Sequence, residues 1–388
     1  MKDDNNIPEF YLVGGPLHRL GSRLGLVRGG TNTVWLGVAI GLSTWTVLML
    51  LALLQAQGHK VFSLSVISGH VRLLVVIPLL FLCETLVVPR MAVFLRTITQ
   101  SGVVPKGSLP ALQSDVARVG RWKNSWLPEV IFLLIAIVMS EAGVGTAIYG
   151  ATAAFDSIHA LAGGTLVSWF YWNVCLTVFR FLVLRWLWLF FLWSYMLWRV
   201  SRLELHLIPT HPDRAAGLGY LEIVHVHFTP SVVAISALQS ASFADELSAG
   251  TMKFEAVYPG LVIVLVLVAV LFLGPLFIFS PKLWACRVKG LSDYMVFASH
   301  YVNGFDNKWL EAKSAPPVET LLGTPDLQSL ADLSNSIDII RSMRWVPLSM
   351  QLAANLGLAT LLPMMPLLLN NYPVVELARK MLKSLIGL

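Results

Sequence analysis

Long apolar runs alternate with short polar segments between residues 34 and 369. A helix that crosses the hydrocarbon core needs about 20 mostly apolar residues. Stretches 34–55, 73–88, 126–149, 166–198 and 258–280 read as such helices. Stretch 346–369 joins them despite Pro347, Pro363 and Pro366, because neighbouring helices re-satisfy the backbone groups that proline frees in a membrane. Stretch 230–250, rich in Ala and Ser and carrying Asp245-Glu246, completes a predicted set of seven spans. The pattern predicts an all-α, polytopic helical membrane protein, and no strand periodicity or internal repeat competes with it.

Three segments depart from a plain span. The fourth run, 166–198, would be roughly 50 Å long as one helix, well beyond a hydrocarbon core of about 30 Å. Its tryptophans form two groups, Trp169/Trp172 and Trp186/Trp188, about 25 Å apart, as two interfacial belts require. The crossing is expected between them, with 190–207 continuing along or below the inner surface. Within 281–345, Trp284, Val288, Leu291, Met295, Ala298, Val302, Phe305 and Trp309 mark one apolar stripe on a long helix. Pro316-Pro317 ends that helix, and Thr324-Pro325-Asp326 opens a second. The resulting hairpin is expected to pack beneath the spans. Residues 372–388 set Val375, Leu382, Leu385 and Ile386 against Arg379, Lys380 and Lys383, the pattern of an amphipathic helix on the bilayer surface.

Composition agrees with a lipid solvent. Of 388 residues, 56% are hydrophobic and 13% charged, and the mean hydropathy is +0.70. A soluble domain carries about 25% charged residues. The net charge of +6 does not indicate a nucleic-acid partner, because the basic residues flank the apolar runs. With the N-terminus inside, twenty Lys and Arg fall in inside segments and five in outside ones. The expected organisation is a cytoplasmic segment 1–33, a bundle of six spans over 34–280, a cytoplasmic hairpin 281–345, and a last span with an interfacial helix over 346–388. Cys83, Cys175 and Cys286 form no CxxC pair, so neither a zinc ribbon nor a dithiol centre is available.

Candidate chemistry falls into three groups. Ionisable residues inside spans are expensive and are usually paired or functional, which singles out Glu84, Glu141, Arg180 and Arg185. Counted from the outer span ends, Glu84 and Arg180 lie at matching depths of about 18 and 21 Å, so an Arg180–Glu84 contact is expected. Such a contact serves either as a structural ion pair or as a charged site on a solute path. Gln239, Ser242 and Glu246 share one face of the fifth span, with Ser236 and Ser240 at its edge. That face suits pore lining, and equally the close packing that small residues allow. Finally, His206, His211, His225 and His227 with Asp213 crowd a short window. They are candidate ligands for Fe, Zn or Mn, although none is spaced i, i+4 on one helix face. Residues 210–213 equally suit a plain helix start. No phosphate loop, nucleophile elbow or His-Glu-x-x-His string occurs.

Three strings, HVRLLVVIP at 70–78, LELHLIPTHPDRAAGLGYL at 203–221 and LLGTPDLQSLADLS at 321–334, resemble those of a group of uncharacterised bacterial polytopic membrane proteins. The likeness runs from about residue 30 to the C-terminus. Ala216-Gly217-Leu218-Gly219-Tyr220 stands where that group reads Gly-Gly-Leu-Gly-Phe. The resemblance implies a bacterial inner membrane and carries no activity or site residues. The leading expectation is therefore a channel or facilitative transporter for a small ion or solute, with Arg180 and Arg185 favouring an anion. It requires no cofactor, and an assembly of several copies fits it. The alternatives are a His/Asp metalloenzyme acting on a lipid-like substrate at the cytoplasmic face, and a scaffold whose hairpin docks a partner.

Overall fold

In a computed structural model, residues 12–55, 66–141, 166–310 and 325–367 are described. Among these residues the regular structure is helical throughout. Helix α1 (Gly15–Arg23) precedes α2 (Val34–Leu54) and α3 (Ile67–Gln100). Helices α4 (Leu109–Asn124) and α5 (Leu127–Glu141) meet at a bend of 45°. Then come α6 (Leu166–Arg202), α7 (Tyr220–Ser248) and α8 (Val257–Leu273). A short tight-turn helix leads from α8 into α9 (Ser280–Trp309), followed by α10 (Pro325–Arg341) and α11 (Met350–Leu367). Six helices are long and apolar enough to cross a membrane, and a seventh span is complete if α4 and α5 count together. The expected interfacial helix at 372–388 lies outside the described residues.

Side-chain register gives each helix its direction. Thr33 donates to the Phe81 carbonyl, and Trp45 Nε1 to His70 Nδ1, so α2 and α3 run antiparallel. Along α6, Arg199 meets Asp115, Trp188 meets Phe132 and Thr177 meets Ser140, so α4–α5 runs against α6 for its whole length. Arg72 with Tyr171, Glu84 with Arg185 and Phe94 with Trp193 make α3 and α6 parallel. Helix α7 opposes α3 through Asp245 with Ser68 and the His227 carbonyl with Cys83. It opposes α8 through His225 with the Phe272 carbonyl, and α11 lies along α7 in the same sense, Ser349 to Glu222 and Ser236 to Thr360. With α4–α5 counted as one, the seven candidate spans among the described residues therefore alternate in direction. The connections at 101–108 and 203–219 and the described parts of the hairpin, 280–310 and 325–349, gather on one side, where Arg118, Arg199 and Arg202 also lie.

The hairpin forms as expected, with Leu333, Ile337 and Ile340 of α10 buried. Its apolar stripe is covered on one side only. Trp284, Val288, Met295 and Val302 remain 55%, 51%, 45% and 39% exposed, because α10 packs on the neighbouring side of α9, where Ile340 and Pro209 close on Gly290. The base of α9 is also fixed to the connection after α6, where Lys282 and Cys286 donate to the carbonyls of Leu203 and Leu207. Close helix approach is clearest at Gly41, where any Cβ would overlap the Leu73 carbonyl. Gly41→Val is expected to lower stability by about 1–3 kcal/mol through overpacking. Thermal unfolding in detergent checks this, and an unchanged midpoint would place α2 further from α3 than described.

Candidate functional site

Helix α6 carries polar groups at successive levels, met by α3 and α5. At the inner level, Arg185 Nη1 and Nη2 donate to Glu84 Oε2 and Oε1 at 2.8 and 3.0 Å, a bidentate fork on a carboxylate. Its Nε lies 3.7 Å from Oε1 of a second carboxylate, Glu129. The guanidinium also sits over the Phe81 ring at 5.8 Å. Arg185 and Glu84 are buried, so their mutual geometry replaces the water that both ions lost. Glu129 in turn accepts the Leu17 amide of α1 at 3.0 Å. Here the chain enters α1 through Gly15 at φ +89°, where a Cβ would overlap the Glu129 carboxylate. Ahead of it, Leu12 and Val13 are buried, and Leu12 joins Glu84, Cys83 and Trp186 around a void of about 20 Å³.

Further out, Arg180 donates to Ser140 Oγ at 2.8 Å, and Ser140 pairs with Thr177 at 2.8 Å. Beyond that, α3 and α6 each contain a π-helical turn, Arg72–Val76 and Tyr171–Cys175. Arg72 donates to the Tyr171 hydroxyl at 2.8 Å, and Asp245 accepts the Ser68 amide at 3.3 Å. Facing π turns at one level leave two wide spots in adjacent helices, a feature common at functional sites.

The expected Arg180–Glu84 contact is thus corrected to Arg185–Glu84. Helix α3 begins at Ile67, several residues before its apolar run, because Ser68, His70 and Arg72 find partners inside the bundle. Glu84 therefore lies about 9 Å deeper than the hydropathy count gave. Glu141 is exposed at the end of α5, and the carboxylate that completes the cluster is Glu129, in the first turn of the same helix. Sequence reading passed over Glu129, Arg72, Tyr171 and Asp245. The available signal was that each sits at the end of an apolar run, where depth cannot be read from hydropathy.

The face on α7 divides. Ser236 donates to the Thr360 carbonyl of α11 and Ser242 to Leu238 of its own helix. Ser240 lines a cavity of about 810 Å³ together with Ala237, Ala241, Ala244, Pro363 and Pro366. Gln239 and Glu246 are half-buried at the margin. Three of the five residues are thus used in packing or in an apolar wall.

The histidines scatter. His206 is exposed, buried His225 lies with Nδ1 2.8 Å from the Phe272 carbonyl, and His227 Nδ1 lies 2.7 Å from Ile223 of its own turn. His211 Nδ1 and Asp213 Oδ1 do meet, at 2.8 Å. Among the described residues no three His, Cys, Asp or Glu side chains are placed to hold a metal ion. Asp213 instead organises its own loop. Its carboxylate accepts the amides of Ala215, Gly217 and Gly219, around a backbone with Arg214 at φ 54° and Ala216 at φ 56°. Arg344 locks the loop from outside, to the Asp213 carbonyl at 3.0 Å and Glu222 at 2.8 Å. The helix start expected at 210–213 is therefore a compact turn, and the first helical residue is Tyr220.

No protein family, curated protein or solved structure matches the chain.

Two outcomes follow from this geometry. Arg185→Gln leaves two carboxylates without their counterion and is expected to lose about 3–5 kcal/mol, Glu84→Gln leaves Arg185 with Glu129 and loses less, and Glu84→Leu/Arg185→Met regains part of the Arg185→Gln loss. Denaturation of the purified variants in detergent tests this, and additive losses would show that the two side chains do not pair. Burial pushes the Asp213 carboxyl up, but the three amides and His211 outweigh it and hold the carboxyl below the ordinary range. Its contribution is present above about pH 4 and is lost as pH falls through the lowered value. The stability gap between wild type and Asp213→Asn should hold from neutral to about pH 4 and then close. A gap independent of pH down to 3 would contradict that.

Proposed function

We propose that the chain is a channel or facilitative transporter for a small ion or solute, working along the seam between α3, α5 and α6. The observation that carries the reading is a single buried guanidinium shared by two carboxylates, Glu84 and Glu129. A purely structural pair needs one carboxylate. The second gives Arg185 an alternative partner, so a proton or cation can occupy whichever carboxylate the guanidinium leaves. Two carboxylates against one guanidinium favour a small cation, protons included, over the anion that the arginines alone suggested. Arg180 with Ser140 and Thr177, then Arg72 with Tyr171, extend the polar groups outward along the same helix.

On the basic side, the segment from Leu12 to Leu17 closes the seam beneath Glu129. Transport requires that segment to move. The surrounding bilayer is read as a bacterial inner membrane, with the basic side cytoplasmic by charge distribution. No ATP-binding string supports primary pumping.

Flux of protons and alkali cations into dye-loaded liposomes, driven by a set potential, tests the reading. A side chain at Gly15 adds about 1–2 kcal/mol of backbone strain to the closed state, so Gly15→Val should raise flux roughly tenfold. Glu129→Gln should lower it. Folded wild type and folded Gly15→Val that both match protein-free liposomes would overturn the reading.

A further inference from the structure

The groups that meet at Arg185 do not balance in charge. Glu84 turns both oxygens to Nη1 and Nη2, while Glu129 points one oxygen at Nε and gives the other to the Leu17 amide. One guanidinium and two carboxylates leave an excess negative charge, and the Arg185, Glu84 and Glu129 side chains are 6%, 3% and 14% exposed. An uncompensated charge with so little water is costly, so the site calls for one more positive charge. The other titratable groups near it belong to the basic rim. Arg19 is exposed, where water screens it, Lys123 lies along Gly14, and His18 Nε2 is 3.1 Å from the Gly30 carbonyl.

We propose that this charge is a proton shared between Glu84 and Glu129, and that the proton is the species moved along the seam, with Asp245 as its acceptor in the outer half. The proposal rests on the transport reading and names its substrate. All four carboxylate oxygens already face N–H donors, which leaves no oxygen cage for a metal ion among the described residues. A protonated carboxyl needs only one lone pair. The void of about 20 Å³ beside Glu84 has room for about one water and not for a hydrated ion. Further out, either hydroxyl of the Ser140–Thr177 pair can donate, so the pair can pass a proton and reset. Beyond it, Arg72 donates to the Tyr171 hydroxyl and acts electrostatically on buried Asp245, a second guanidinium beside a carboxylate. Thr177 lies about 12 Å from Arg185 along α6, and Tyr171 about 9 Å further. Chains of three or four hydrogen-bonded waters cross such gaps. At each transfer an O–H bond breaks at one oxygen and forms at the next, and the guanidiniums keep their own protons.

Two readouts on the full chain in liposomes test it. Infrared spectroscopy should show a protonated-carboxyl C=O band that shifts in heavy water. Glu129→Gln and Glu84→Gln should each remove that band, because each leaves one guanidinium with one carboxylate. The same band in wild type and in both folded variants would overturn the shared proton. For flux, potassium and valinomycin set the potential, and sodium is either present or replaced by a large organic cation. A trapped pH dye should report equal proton influx in both media, with tracer sodium entering no faster than in protein-free liposomes. Asp245→Asn should cut the proton influx at least tenfold, and an undiminished influx in the folded variant would overturn its role. Sodium uptake without proton influx would overturn the proposal and leave the transport reading standing. No flux of either ion in wild type and Gly15→Val would remove that reading, and the infrared band would still decide whether the site holds a proton.

Discussion

The bundle depends on how Arg185 is satisfied in a place where water is scarce. A guanidinium and a carboxylate removed from water each carry a penalty of several kcal/mol, which only close and well-directed contacts offset. Arg185 meets that demand with both terminal nitrogens on Glu84, its Nε toward Glu129 and its flat face on Phe81. Those contacts come from three helices, so α3, α5 and α6 have little freedom to slide or rotate against one another. Apolar packing in lipid cannot supply this, because lipid tails satisfy apolar side chains as well as other helices do. The register of the core follows: Phe94 finds Trp193, Trp186 stacks on Phe190, and Phe272 closes on both Trp186 and Phe190.

The same constraint reaches the N-terminus. Glu129 uses one oxygen toward Arg185 and the other on the Leu17 amide, so the first helix is tied to the charge cluster rather than to the surface. Gly15 is the residue that lets the chain turn there, with a backbone conformation that L side chains adopt only under strain. On the far side of the basic face, the Asp213 loop performs a comparable task with backbone amides. It joins the end of α6 to the Val103 carbonyl through His206 and to the Arg344 segment before α11.

Much of this was legible in the sequence. Apolar run lengths located the spans, and Pro325-Asp326 marked the start of α10, because those signals are local; Pro316-Pro317 lies outside the described residues. Depth was less legible. Hydropathy places the start of a span where its apolar residues begin, yet Ser68, His70 and Arg72 are helical and partnered within the bundle. That offset moved the partner of Glu84 from Arg180 to Arg185. The histidine cluster misled for a related reason: nearness in sequence across a turn does not bring side chains together, and Asp213 was already occupied by its own backbone. Asp245, one residue from the chosen Glu246, shows how little a helical wheel fixes when the angle of the buried face is unknown.

The central claim is that Glu129 couples the N-terminal segment to the buried Arg185–Glu84 pair, and hydrogen–deuterium exchange on α1 tests it most directly. The account predicts slow exchange of the Leu17 amide in the wild type and exchange at least tenfold faster in Glu129→Ala, with the spans equally protected in both. Rapid exchange at Leu17 in the wild type, unchanged in the variant, would contradict it and leave the charge cluster a feature of the three spans alone.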